Sequence, residues 1–155
     1  MMALKFVLLA ALCAAYVQGY PQTSQTKDTT LSPASPLVKK FKASVDKCKT
    51  SLSASAETVD LIGKKALPTD ENQRCFLECV YKDLDIVKEN KFDPAVVHTL
   101  AKEHYPEGGE PLTKATTSID ACAKEIVADE SESCAMGKAV RSCFYKYADE
   151  TNAPL

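Results

Sequence analysis

Apolar residues recur along most of this chain at steps of three and four, the spacing that aligns side chains on one face of an α-helix. Leu37, Val38, Phe41, Val45, Cys48 and Leu52 form the first such stripe, opened by Ser35 as an N-cap and Pro36 at the first helical position. Ala56, Val59, Ile62 and Ala66 form a second, which Pro68 stops. Asp70 and Gln73 resemble a capping box at the head of a third, running through Cys75, Phe76, Cys79, Val80, Leu84 and Val87. Asp93-Pro94 repeats the cap-and-proline signal before Val96, Val97 and Leu100, and "YPEGGEP" at 105–111 breaks the chain. Beyond the break, Ala115, Ile119, Cys122 and Ile126 form a fifth stripe. Cys134, Val140, Cys143, Phe144 and Tyr147 form a sixth, with a short tail ending at Leu155. No alternating strand pattern competes with these, so the pattern predicts an all-α domain of about six helices.

Two segments stand outside this pattern. Phe6 to Val17 is almost wholly apolar, follows a single charge at Lys5 and precedes the small residue Gly19. About twelve apolar residues are too few to span a bilayer of ~30 Å, so residues 1–19 read as a signal peptide removed after Gly19. Residues 20–35, "YPQTSQTKDTTLSPAS", are polar and read as a flexible N-terminal arm, leaving 36–155 as a single domain. No later stretch is long and apolar enough to insert into a membrane.

Export changes what the cysteines mean. Removing residues 1–19 takes Cys13 from the seven cysteines and leaves six, an even number in an oxidising compartment, which predicts three disulfides. Each bridge would add roughly 2–4 kcal/mol to a core of this size. The cleavage also removes Lys5, leaving 18 basic against 21 acidic side chains and a net charge of −3. No basic run exceeds Lys39–Lys40 or Lys64–Lys65, which argues against nucleic acid or an anionic membrane as a partner.

Spacing narrows the roles further. Cys75 and Cys79 in "RCFLECVYKD" share a helix face, and their side chains lean toward the same helix end, which suits two separate anchors better than a mutual bond. Cys134 and Cys143 would be separated by roughly 13.5 Å of helix rise. Excluding both pairs leaves ten of the fifteen pairings that six cysteines allow. Glu78, between the first two, reads as part of a solvated face. There is no Cys-x-x-Cys, and His98 and His104 point away from each other on one helix, so neither a metal site nor a thioredoxin-like redox site is expected. A secreted phospholipase would need adjacent cysteines beside its His-Asp pair, which are absent; no catalytic residue and no cofactor is predicted. Either histidine titrates near neutral pH in ordinary surroundings, so a pH response is open.

The cysteine order is specific. Gaps of twenty-six, three, forty-two, eleven and eight residues separate Cys48, Cys75, Cys79, Cys122, Cys134 and Cys143. This pattern, with "RCFLECVYKDLDIV" as its Cys-Phe-x-x-Cys helix, resembles the six-cysteine type of insect odorant-binding proteins, the pheromone-binding and general odorant-binding family. The resemblance runs from about Pro33 to Leu155; the chain departs from it at Asp85, where many relatives carry glycine, and in the polar arm before Pro33. It implies a six-helix odorant-binding-protein-like fold around an internal apolar cavity, with three interlocked disulfides, Cys48–Cys79, Cys75–Cys134 and Cys122–Cys143. Saposin-like proteins cluster six cysteines at the domain ends, and chemosensory proteins carry four, so neither spacing fits.

The implied function is a secreted, soluble carrier of small hydrophobic molecules: odorants, pheromones or fatty-acid-like compounds. It would act as a monomer or weak homodimer in the lymph around sensory neurons, with a chemosensory receptor as candidate protein partner. A carrier in haemolymph, saliva or reproductive fluid, or a ligand-free structural or defence protein with a filled core, is the alternative. Helical periodicity does not separate a filled core from a hollow one; the hollow comes from the resemblance. Its expected lining is Phe41, Val45, Phe76, Val80, Leu84, Val97, Leu100, Ile119, Val140 and Phe144, the last because an aromatic after the final cysteine often reaches the cavity in that family. Met136 is a further candidate, and Tyr145 or Tyr147 would offer a hydroxyl to a polar ligand head. Tyr147, Pro154 and Leu155 are the expected lid, loosening near pH 5.

Overall fold

A computed structural model describes the backbone of residues 36–151 and the side chains of residues 36–148. The expected signal peptide, the polar arm, the Ser35 cap, and Pro154 and Leu155 lie outside these residues. Within them run six helices: α1 Pro36–Ser51, α2 Ala56–Asp60 with a 3-10 turn at Leu61–Gly63, α3 Glu71–Asp83, α4 Pro94–His104, α5 Gly109–Glu125 and α6 Ala135–Thr151. A short antiparallel hairpin, β1 Val87–Lys88 and β2 Lys91–Phe92, separates α3 from α4. No described helix is long and apolar enough to cross a membrane.

Helix starts follow local chemistry. The Thr58 amide donates to Ser55 Oγ (3.2 Å), the Gln73 amide to Asp70 Oδ1 (2.8 Å), and the Ala95 and Val96 amides to Asp93 Oδ1 (3.1 and 3.3 Å). Each bond satisfies a donor that a helix start leaves without an internal partner. Gln73 Oε1 accepts from the Thr69 amide at 2.8 Å, one residue before the amide that a capping box would use.

The third stripe stops at Asp83 instead of running on to Val87. Asp85 sits at φ 63, the left-handed conformation that ends helices and favours glycine. Its amide and that of Ile86 bond back to the carbonyls of Lys82 and Tyr81 at 3.0 and 2.9 Å. A backbone of this shape accounts for glycine being common at this position in the resembling family. Val87 then pairs with Phe92, and Lys88 with Lys91, across a two-residue turn at Glu89 and Asn90 whose φ values, 48 and 60, are both positive. That turn matches the twist of a hairpin, but Glu-Asn announces it far more weakly than Asn-Gly.

Helix α3 holds its neighbours together. Cys79 bonds Cys48 of α1, Cys75 bonds Cys134 just ahead of α6, and Cys122 of α5 bonds Cys143 of α6. These are the pairs that the family resemblance implies. Cys48, Phe76, Val80 and Leu84 form one buried cluster; Val87, Met136 and Val140 form another.

The start of α6 is seated on α3 by more than the disulfide. Glu78 is only 5% exposed, its Oε2 accepts from the Met136 amide at 3.1 Å, and its Oε1 meets Lys82 Nζ at 2.5 Å. The solvated role expected for Glu78 is thus corrected: the carboxylate caps a neighbouring helix, at the end where the dipole favours negative charge. Arg74 Nε donates to the Ser133 carbonyl (3.3 Å), and Gly137 lies so close to α3 that a Cβ there would stand 2.0 Å from the Arg74 carbonyl oxygen.

Gly137→Ala should therefore force the two helices apart and lower stability by about 1–3 kcal/mol or more. Asp85→Gly should raise it by about 0.5–1 kcal/mol, since glycine adopts the left-handed conformation without strain. Equilibrium denaturation checks both; an unchanged midpoint for Gly137→Ala would contradict the close approach.

Candidate ligand-binding site

Apolar faces of five helices converge on a cavity of about 480 Å³, within the ~300–1,000 Å³ range of small-ligand sites. Helix α1 contributes Leu37, Val38 and Phe41, and α3 and the turn after it contribute Tyr81, Leu84 and Ile86. Helix α4 supplies Val97, Leu100, Ala101 and His104, a three-and-four spacing that presents one face, with Tyr105 next in the chain. Ala115, Ser118 and Ile119 of α5 and Phe144 and Ala148 of α6 complete the wall. The hairpin supports it from behind, with Phe92 packed edge-on against Phe144 at 5.9 Å between ring centroids.

Several of these side chains are small. Ala101, Ala115, Ser118 and Ala148 stand where leucines would fill the space, so the hollow has a cause in the sequence.

Polar groups are few. His104 is half-buried, and desolvation lowers its pKa from the ordinary 6.5, favouring the neutral ring. Any stability this ring contributes is full above that value and lost as pH falls, because the unfolded chain then binds the extra proton. Tyr105 packs edge-on against His104 at 4.4 Å, and burial raises its phenol pKa. Desolvation pushes Tyr81 up to about 12, against the opposing pull of Arg141. No Lys, Arg, Asp or Glu is among the described lining residues.

Of the expected lining, Phe41, Leu84, Val97, Leu100, Ile119 and Phe144 stand at this cavity. Phe76 and Val80 instead face the filled cluster around Cys48, both fully buried, because α3 turns that side toward α1. Val140 and Met136 pack with Val87 in the second cluster. Val45 lines a shallow surface hollow with Val59 and Ile62. The Tyr145 hydroxyl donates to the Lys64 carbonyl at 2.8 Å, and the Tyr147 hydroxyl bonds Glu125, so both anchor α6 outside the cavity. Helix α6 continues to Thr151, through much of the segment expected to be tail.

Leu37, Val38, Tyr81, Ile86, Ala101, His104, Tyr105, Ala115, Ser118 and Ala148 are the additions. Most were one helical step from expected residues: Ala101 and His104 follow Val97 and Leu100 by four, and Ala148 follows Phe144 by four. Leu37, Val38 and Ala115 already stood in the predicted stripes, whereas their small or polar character kept Ala101, His104, Ser118 and Ala148 out of them.

The sequence profile of the PBP/GOBP family matches residues 33–147, well over half of the chain. The chain belongs to the PBP/GOBP family. Solved structures agree with that fold. Odorant-binding protein dmelOBP28a from Drosophila melanogaster is similar with a TM-score of 0.64 and 24% identity, covering 76% of this chain and 96% of its own. Fatty acid binding protein OBP56a from the oral disk of the blowfly Phormia regina gives a TM-score of 0.58 at 24% identity, covering 78% and 99%. Compared with curated protein sequences, the chain gives no match.

In this PBP/GOBP protein a truncation at the cavity on α6 and one in the filled core on α3 should have different effects. Phe144→Ala should weaken binding of a fluorescent apolar probe several-fold while helicity is retained. Phe76→Ala should instead cost about 3–5 kcal/mol of stability, as large-to-small changes in filled cores do. Unchanged probe affinity in folded Phe144→Ala would remove Phe144 from the site.

Proposed function

We propose that this PBP/GOBP protein is a secreted, non-catalytic carrier that binds small hydrophobic molecules, odorants or pheromones, and delivers them to olfactory receptors. The observation that carries this reading is the cavity itself: about 480 Å³ walled by aliphatic and aromatic side chains from five helices. Two of those helices, α5 and α6, are bonded to each other through Cys122–Cys143, and α3 is bonded to α1. A site held this way need not be assembled by its ligand, which reduces the ordering cost of binding. The two structural relatives, one named as odorant-binding and one as fatty acid binding, favour small hydrophobic cargo.

Magnitudes fit reversible carriage. Burying roughly 300 Å² of apolar ligand surface yields about 7–8 kcal/mol before ordering costs, and 1 μM corresponds to about 8.2 kcal/mol. Affinity near micromolar loads a ligand from dilute solution and still releases it. The oral-disk source of the blowfly relative favours, as a second reading, the same carriage in a fluid outside the antenna.

A fluorescent apolar probe titrated into the secreted protein, then displaced by long-chain alcohols and esters, tests the carrier. Saturable binding near micromolar with displacement is expected. A folded protein that takes up no probe would contradict the carrier and leave a ligand-free structural or defence protein.

A further inference from the structure

The inventory of charge around the cavity goes beyond the carrier reading, on which the following rests. We propose that the cavity selects uncharged ligands: an apolar chain ending in one neutral hydrogen-bonding group, such as an alcohol, aldehyde or ester, seated at His104, with the carboxylate of the same chain length disfavoured.

A carboxylate drawn out of water loses far more than a neutral head unless a cation pairs with it. The described lining offers no Lys or Arg, its polar side chains being the neutral groups of Tyr81, His104, Tyr105 and Ser118. Among the described residues the buried cation is Arg141, 7% exposed; it bears on the wall through Tyr81, whose phenol pKa it pulls down, but is not itself in the lining. Its Nε donates to the Ala66 carbonyl and its Nη2 to those of Leu61 and Lys64, while the guanidinium lies 4.8 Å from the centre of the Tyr145 ring. On the helices that form the wall, Lys114 pairs with Glu110 at 2.8 Å and Lys146 with Glu125 at 2.9 Å. These two are held in ion pairs, and no described lysine of these helices is among the lining residues.

What the cavity does hold suits a neutral head. A neutral imidazole presents one N–H donor and one acceptor nitrogen, so His104 meets either the oxygen of an aldehyde or ester or the proton of an alcohol. Ser118, 4% exposed, donates its hydroxyl proton to the Lys114 carbonyl at 3.0 Å and keeps its oxygen as an acceptor on the same wall. Phe41, Leu84, Leu100, Ile119 and Phe144 supply the remaining apolar surface for the chain.

The test displaces one apolar probe near neutral pH with three compounds of a single chain length: a primary alcohol, the methyl ester and the carboxylate. The alcohol and ester should bind at least about ten-fold tighter than the carboxylate, a difference of about 1.4 kcal/mol. A second arm places a cation on the wall. His104→Arg, or Ala101→Lys on the same helix face should the first fail to fold, is expected to raise carboxylate affinity about ten-fold relative to the ester. A wild-type protein that binds the carboxylate as tightly as the ester overturns the selectivity while leaving the carrier standing. Folded cation variants that leave the ratio unchanged overturn the placement of the head group at His104. If the probe is not bound at all, the carrier reading fails and this inference falls with it.

Discussion

The architecture depends on α3 being fastened on two sides at once. Cys75 and Cys79 occupy one helix but reach different partners, Cys134 at the head of α6 and Cys48 in α1. Between them Glu78 caps the Met136 amide at the start of α6, and Gly137 lets α6 lie directly against the α3 backbone. These contacts act together: a close backbone approach needs the glycine, a buried carboxylate needs the amide and lysine it meets, and the disulfide holds both in register. With α3 so placed, α1 and α6 have defined positions on either side of it.

The cavity is the consequence of what that placement leaves unfilled. Phe76 and Val80 fill the space toward α1, whereas Tyr81 and Leu84 face the space enclosed with α4, α5 and α6. There the facing residues include three alanines and a serine, so large side chains do not meet across the gap. Protein interiors close-pack wherever side-chain volumes permit; here the disulfides and the filled clusters keep the walls from collapsing onto one another. An apolar molecule entering this space gains contacts that the protein alone does not make.

Much of this was legible in the chain and the rest was hidden for identifiable reasons. Helical periodicity located all six helices, because each buries one face and leaves the other in water. Cysteine spacing supplied the family resemblance and, through it, the pairing. The β1–β2 hairpin was not legible, since its turn and the end of α3 rest on left-handed Asp85, Glu89 and Asn90 where no glycine marks the bend. Glu78 looked solvated because its burial comes from α6, fifty-eight residues further on. Six of the expected lining residues stand at the cavity, but periodicity alone did not separate the filled side of α3 from the hollow one: both sides are apolar. Alanine, serine and histidine positions beside the stripes of α4, α5 and α6 carried much of the missing information.

Residue-resolved NMR during titration with a long-chain alcohol tests the central claim, that a hollow beside α3 receives the ligand. Saturating shifts are predicted for Phe41, Leu84, Leu100, Ile119 and Phe144, with Val45, Val80 and Val140 little changed. Shifts centred on the surface hollow beside Lys47 and Lys82, or none at saturating alcohol, would contradict it.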